Sequence, residues 1–158
     1  MPSPEHAADL ARVLERAAQE CESKRGIWFG AGLPQALRSA IEAHSKATAQ
    51  EPPEIAFVEV SAVSPRGRAS TDADAPAAGC PVVGLSMCTL DDLRSLVSPQ
   101  DETGLRLTRL ICPVAVLDFT TDGIQVREVR HGLTAADLQE QLCTTLWSGP
   151  DLKELGTH

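Results

Sequence analysis

Tyrosine is absent from this chain, and aromatic residues make up only 3% of it. A core built on aromatic stacks is thereby excluded. The apolar fraction is an ordinary 42%, so Leu, Val, Ile and Ala must fill the interior. Runs of Lys or Arg are also missing. The formal net charge is -8, from 22 acidic and 14 basic residues. Tracking a phosphate backbone requires a basic face, so nucleic acid is not an expected partner. A local positive pocket for an anionic ligand remains compatible with that balance. No segment approaches the roughly 20 apolar residues of a membrane span. The N-terminus lacks the basic-then-apolar pattern of a secretory signal. The expectation is a cytoplasmic protein without a membrane partner.

A Cys-x-x-Cys pair is lacking too. The five cysteines, Cys21, Cys80, Cys88, Cys112 and Cys143, are odd in number and widely spaced. Neither a disulfide framework nor a zinc site is expected from them. Buried free thiols are the reading that remains. No histidine among His6, His44, His131 and His158 has a Ser, Cys or Asp partner at a diagnostic spacing. No Walker loop is present, and Gly30-Ala31-Gly32 lacks the third glycine of a dinucleotide fingerprint. Bound metal and bound cofactor are therefore not expected.

What is present suits one compact domain of 158 residues. At that length roughly 70% of the unfolded surface is buried, so a core can form without staples. Residues 4–22 carry Leu10, Val13, Leu14, Ala17 and Cys21 on one helical face. Ser3 can cap this helix and Pro4 suits its first position. Ile27 to Phe29 reads as a short buried strand. Pro34 opens a second helix through Leu37, Ala40, Ile41 and His44. Residues 46–53 read as a loop ending in Pro52-Pro53, and Ile55 to Val60 as a strand.

The stretch from Ser64 to Gly79 is rich in Ala, Asp, Ser, Pro and Gly and reads as a mobile loop. Val82 to Leu85 is another short strand. Thr89 can cap a short helix ending near Ser98-Pro99, with Asp91 and Asp92 in its first turn. Val114 to Phe119 is a nearly unbroken apolar run, as in a strand covered on both faces. Asp122-Gly123 marks a turn into Ile124 to Val129. Thr134 caps a last helix through about Trp147, and residues 148–158 form a flexible tail. Residues 1–147 thus form one domain. Alternating strands and helices favour an open α/β sheet flanked by helices, with an antiparallel pair toward the C-terminus.

Three constellations could carry chemistry. Gly30-Ala31-Gly32-Leu33-Pro34 joins a strand to a helix, where glycines and unpaired N–H groups can hold an anion. A structural turn is the alternative. Glu59 is an acid within an apolar strand, and a buried carboxylate there could do acid–base or nucleophilic work. The alternative has Glu59 pointing outward on the sheet's alternating face. Asp118 ends the run from Arg109 through Leu117, and could face a cleft or cap a turn with Thr120 and Thr121.

These blocks, in this order, resemble the β-type subunit of family I coenzyme A transferases, the succinyl-CoA:3-oxoacid and acetoacetate type. The family's Gly-x-Gly-x-Pro loop is matched by Gly30, Gly32 and Pro34. Its Asp-Val-Ala-Ile-Leu-Gly strand block is matched by Glu54 to Gly67. Its Cys-Thr-Leu block is matched by Cys88-Thr89-Leu90, and its Arg-Ile-Ile strand by Arg109 to Phe119. Gly123 to Val129 and Gly132-Leu133-Thr134 follow in register.

The resemblance implies a shortened CoA-transferase-like sheet that acts on an acyl-CoA thioester. It implies a hetero-oligomer with an α-type partner, or self-association, and no other cofactor. Gly30, Ala31, Gly32, Leu33 and Pro34 would hold the thioester region. The family's nucleophilic glutamate lies in a Glu-Asn-Gly motif before the Asp-Val-Ala strand. Here residues 42–53 fill that interval, and no Glu-Asn-Gly occurs. Glu59 aligns with a family glycine, so the resemblance does not assign it the nucleophile's role; its candidacy rests on the residue itself. The alternatives are a non-catalytic remnant that binds or scaffolds, and an independent small-molecule binder.

Overall fold

The computed structural model describes residues 4–22, 24–30, 35–43, 53–70, 80–97, 105–121, 123–142 and 146–155. In chain order the elements are α1 (Pro4–Glu20), β1 (Ile27–Phe29), α2 (Gln35–Ala43), β2 (Ile55–Glu59), β3 (Ala62–Val63), β4 (Arg68–Ser70) and β5 (Val82–Leu85). Then come α3 (Leu93–Leu96), β6 (Leu105–Arg106), β7 (Arg109–Ile111), β8 (Ala115–Thr120), β9 (Gly123–Arg130), α4 (Ala135–Gln141) and β10 (Leu146–Leu155).

Seven strands form one mixed sheet in the order β1-β2-β5-β7-β8-β9-β10. The first four run parallel. The β7–β8 and β8–β9 pairs are antiparallel, and β10 returns parallel to β9. The expected α/β sheet with an antiparallel turn at Gly123 is thus present. A second reversal, at Cys112-Pro113-Val114, divides what reads in sequence as one apolar run from Arg109 to Phe119.

The period of two in the strands sorts side chains onto two faces. Ile55 and Phe57 of β2, Val83 and Leu85 of β5, Ile111 of β7 and Val116 of β8 face one layer. There they meet Val13, Ala17 and Cys21 of α1 and Ile41 of α2. Ala56 and Val58, Val82, Leu110 and Leu117 face the other layer, with Leu93 and Leu96 of α3 and Leu138 of α4. The central strands are therefore buried on both sides, which explains their unbroken apolar sequence. Full burial of a side chain such as Phe57 stabilises by about 2–3 kcal/mol.

Part of the expected loop from Ser64 to Gly79 is instead a hairpin. β3 and β4 pair antiparallel, and β4 pairs with β6 to complete a three-stranded sheet. The Gly67 N–H donates to the Ser64 carbonyl at 2.9 Å, closing a tight turn over Pro65 and Arg66. The buried Ser64 hydroxyl accepts from the N–H groups of Arg66 and Arg68 at 3.2 and 3.1 Å. Gly67 has φ 90°, and a Cβ there would sit 2.9 Å from the Phe119 ring and its Cβ. Residues 71–79 lie outside the described residues.

The expected C-terminal tail differs as well. The last helix stops at Gln141, and Trp147 lies in β10 rather than in that helix. β10 continues to Leu155 and pairs with Ile124 to Val126 and then with Glu128 to Arg130. The register shifts between Ser148 and Lys153, across Gly149-Pro150, where proline lacks an N–H to give to the ladder. Ladder hydrogen bonds to β9 order this segment; its own polar sequence carries no strand pattern.

Candidate functional site at the carboxyl edge of the parallel strands

Parallel strands β1, β2, β5 and β7 end on the same side of the sheet, and ligands of α/β sheets commonly sit beyond such ends. The register aligns Phe29 with Phe57, Glu59 with Leu85, and Leu85 with Ile111. Backbone hydrogen bonds extend the ladder past these ends. Gly30 donates to the Phe57 carbonyl at 2.9 Å, Val60 to Leu85 at 3.0 Å, and Ser86 to Ile111 at 3.1 Å. The edge thus gathers Gly30, Glu59, Ser61, Ser86, Cys88 and Cys112.

Gly30 is buried, and its carbonyl accepts a 2.8 Å hydrogen bond from Arg38 Nη2 on α2. This contact draws a guanidinium to the end of β1. Ala31, Gly32, Leu33 and Pro34 lie outside the described residues. Glu59 closes β2 and is exposed, after four buried residues. Of the two readings of Glu59, its exposure fits the one in which it points to solvent: the alternation that buries Phe57 ends at the sheet rim. Exposed and at a strand's carboxyl end, it can still reach a ligand lying along this edge.

Asp118 is held in an ion-pair network. It sits directly opposite Arg109 across the β7–β8 pair. Arg109 Nε donates to Asp118 Oδ1, Nη2 donates to Asp118 Oδ2 at 2.9 Å, and Nη1 donates to Glu20 of α1. Arg16 joins Glu20 at 2.7 Å and Glu128 of β9 at 2.6 Å, and Arg127 approaches Asp118 at 3.4 Å. Three arginines and three carboxylates thus interlock between α1 and the antiparallel strands. The fork from Asp118, with the charge of Glu20, holds the Arg109 guanidinium above even the usual arginine range despite its partial burial. This network fastens a helix to the sheet. It was invisible in sequence because its members lie 89 and 112 residues apart. Only the Arg109–Asp118 pair could have been found, from a hairpin at Cys112-Pro113-Val114.

The thiols also converge in ways the spacing hid. Met87 packs with the α1–α2 layer and Cys88 with the opposite one, so the strand alternation continues beyond β5. Cys112, one residue past β7, faces that same opposite layer. A hydrogen bond between the two thiols raises the pKa of Cys88, with burial adding to the effect, and lowers that of Cys112. Cys80 is raised by burial, partly offset by Lys24. Of the histidines, His131 lies in an exposed turn, the side chain of His6 is not described, and His44 and His158 lie outside the described residues. Among the described residues no group of three or more His, Cys, Asp or Glu is placed to hold a metal ion. Among them, too, no helix is long and apolar enough to cross a membrane.

No family model matches this sequence, and no curated protein matches it. Solved structures do. The decarboxylase AibA/AibB superimposes with a TM-score of 0.67 at 13% identity, over 94% of this chain and 89% of that one. The chain has a CoA-transferase fold. Glutaconate coenzyme A-transferase from Acidaminococcus fermentans matches with a TM-score of 0.62 at 10% identity, over 94% of this chain and 89% of that one. An acyl-CoA transferase from E. coli O157:H7, YdiF, matches with a TM-score of 0.65 at 13% identity. That match covers 92% of this chain but 43% of the larger enzyme. The CoA-transferase fold thus extends through nearly the whole chain.

Proposed function

We propose that this chain is a CoA-transferase-like subunit that acts on an acyl-CoA thioester within a hetero-oligomeric complex. The observation that carries the reading is the extent of the structural match: 94% of this chain against 89% of the AibA/AibB decarboxylase chain. A subunit-sized unit is matched, rather than a shared supersecondary fragment. The glutaconate coenzyme A-transferase match supports a thioester of coenzyme A as the substrate class. In this reading Gly30, whose carbonyl accepts from Arg38, and the residues through Pro34 orient the thioester region. Glu59 is the carboxylate this chain offers at the rim, and an α-type partner supplies the remaining groups.

A second reading is a non-catalytic subunit that keeps the sheet and its interface. The absence of Glu-Asn-Gly from residues 42–53 and the exposure of Glu59 favour it. Incubation of a panel of acyl-CoAs with and without acceptor carboxylates, with and without the α-type partner, followed by chromatography and mass spectrometry of every CoA species, tests the proposal. Turnover that needs both chains, and that Glu59→Gln lowers at least tenfold with the fold retained, is the expected result. Unchanged turnover in the Glu59→Gln complex would favour the scaffolding reading. No turnover of any thioester with the partner present would remove the enzyme reading. Calorimetry of the isolated chain against CoA, acyl-CoAs and nucleotides identifies an independent small-molecule binder.

A further inference from the structure

Two cysteines that stand 24 positions apart in sequence (Cys88 and Cys112) leave adjacent parallel strands at the same end of the sheet. β5 and β7 are hydrogen-bonded neighbours with Leu85 opposite Ile111, and Ser86 continues the ladder onto the Ile111 carbonyl. Ile111 and Leu85 both face the α1–α2 layer. Parity then directs the next residue of β7, Cys112, and the residue three beyond Leu85, Cys88, to the opposite layer. Both pack there against the same cluster. The Sγ of Cys112 is anchored by a 3.3 Å hydrogen bond to the Ala115 carbonyl within the β7–β8 turn. Cys112 is fully buried, whereas Cys88 is half-buried. One thiol therefore meets solvent and the other does not.

We propose that Cys88 and Cys112 form a redox-active dithiol, a modification site that takes a hydroperoxide as oxidant and closes to a disulfide across the ends of β5 and β7. Cys88 is the sulfur that meets the oxidant. Its thiolate displaces hydroxide from the peroxide O–O bond, giving a sulfenic acid and, after protonation, water. The Cys112 sulfur then attacks the Cys88 sulfur, forming the S–S bond and releasing a second water. Two thiols and one hydrogen peroxide thus become one disulfide and two waters. Both thiols pack on the same layer at the ends of neighbouring strands, and an approach of the Ser86–Thr89 segment would close them to an S–S bond of about 2.05 Å. That segment lies between the end of β5 and α3 and is outside regular structure, so it can move while Cys112 stays fixed. The product would tie two strand ends that the ladder alone now joins. The dithiol would close whether or not the chain handles acyl-CoA.

The test uses the full chain, reduced and freed of reductant, then treated with a small excess of hydrogen peroxide. After unfolding, free thiols are alkylated and the protein is digested without reduction. Mass spectrometry is expected to show the Cys88 and Cys112 peptides joined, two hydrogens lighter than their sum, and separated by dithiothreitol. The joined species is expected to form faster as pH rises, because Cys88 holds its proton tightly. In Cys88→Ala, Cys112 should remain an alkylatable thiol after the same treatment. Recovery of both cysteines as free thiols would overturn the proposal. So would Cys88 accumulating as sulfinic acid without the link, or either cysteine joined mainly to a different one.

Discussion

Arg109 is the residue on which the α1 face of the antiparallel strands turns. It donates to Asp118 and Glu20, which lie on different elements. Replacing it with Leu leaves two partly buried carboxylates without their shared cation, while both remain beside Arg16 or Arg127. The expected loss is about 2–3 kcal/mol, read as a lower urea midpoint with an unchanged slope. Asp118→Asn should cost less, because it removes one carboxylate and leaves Arg109 paired with Glu20. The Arg109 contribution has a definite pH range. Its folded pKa is raised, so the stabilisation is fully present below the unfolded arginine pKa and is lost only as pH rises through the folded one. Across the neutral and mildly alkaline range the difference between wild type and Arg109→Leu should therefore stay flat as far as the guanidinium is concerned. Two glycines offer a second comparison at this scale. Gly67 and Gly132 have φ of 90° and 88°, but only Gly67 abuts another side chain, that of Phe119. Gly132→Ala should cost about 1 kcal/mol from backbone conformation alone. Gly67→Ala should cost more, about 2–3 kcal/mol, because overpacking adds to the same conformational strain. Chemical denaturation of both variants measures the difference.

At the scale of elements, α4 is the clearest case of a helix fixed by its ends. Its seven residues are too few for stability on their own. Thr134 accepts from the Asp137 N–H at 3.2 Å, and Asp137 accepts from the Thr134 N–H at 2.8 Å, a reciprocal capping box. At the other end Arg94 of α3 donates to the carbonyls of Glu140 and Gln141, both at 3.2 Å. The single fully buried anchor between these caps is Leu138. Thr134→Ala should cost about 1 kcal/mol, read from equilibrium unfolding. Thr134→Ser should restore most of that loss, because it keeps the hydroxyl acceptor. The cap was legible from Thr134 onward. The helix's end was not, because nothing between Gln141 and Trp147 reads as a stop, and β10 begins on the strength of pairing with β9.

The whole molecule has a stability gradient set by burial. β2, β5, β7 and β8 lie between two packed layers, whereas β10 forms one edge of the sheet and the β3-β4-β6 sheet consists of two- and three-residue strands. Native-state hydrogen exchange should therefore be slowest at Phe57, Val58, Val83, Leu110 and Leu117. It should be faster in β10 and at Ala62 and Val63. Uniform protection across all ten strands would contradict this ordering. The same gradient bears on function. The edge carrying Gly30 and Glu59 grows from the most protected strands, so its backbone is held in place while the side chains beyond it remain accessible.

The sequence by itself determined the class of the fold, because period and run length report burial directly. The double-sided apolar strands, the helix from Pro4 and the cap at Thr134 all follow from local patterns. The order of the sequence blocks was enough to suggest a CoA-transferase-like sheet. The reversal at Cys112-Pro113-Val114, the hairpin through Ser64 to Gly67 and strand β10 were decided only by the tertiary structure. Each is stabilised by hydrogen bonds to strands remote in sequence, and local composition carries no record of such partners. The site divides the same way. Gly30 and Glu59 could be named as candidates from their neighbours in the chain. That Glu59 is exposed, that Asp118 is bound to Arg109, and that Cys88 and Cys112 pack on the same layer are consequences of strand register, which brings distant residues to one edge and one face.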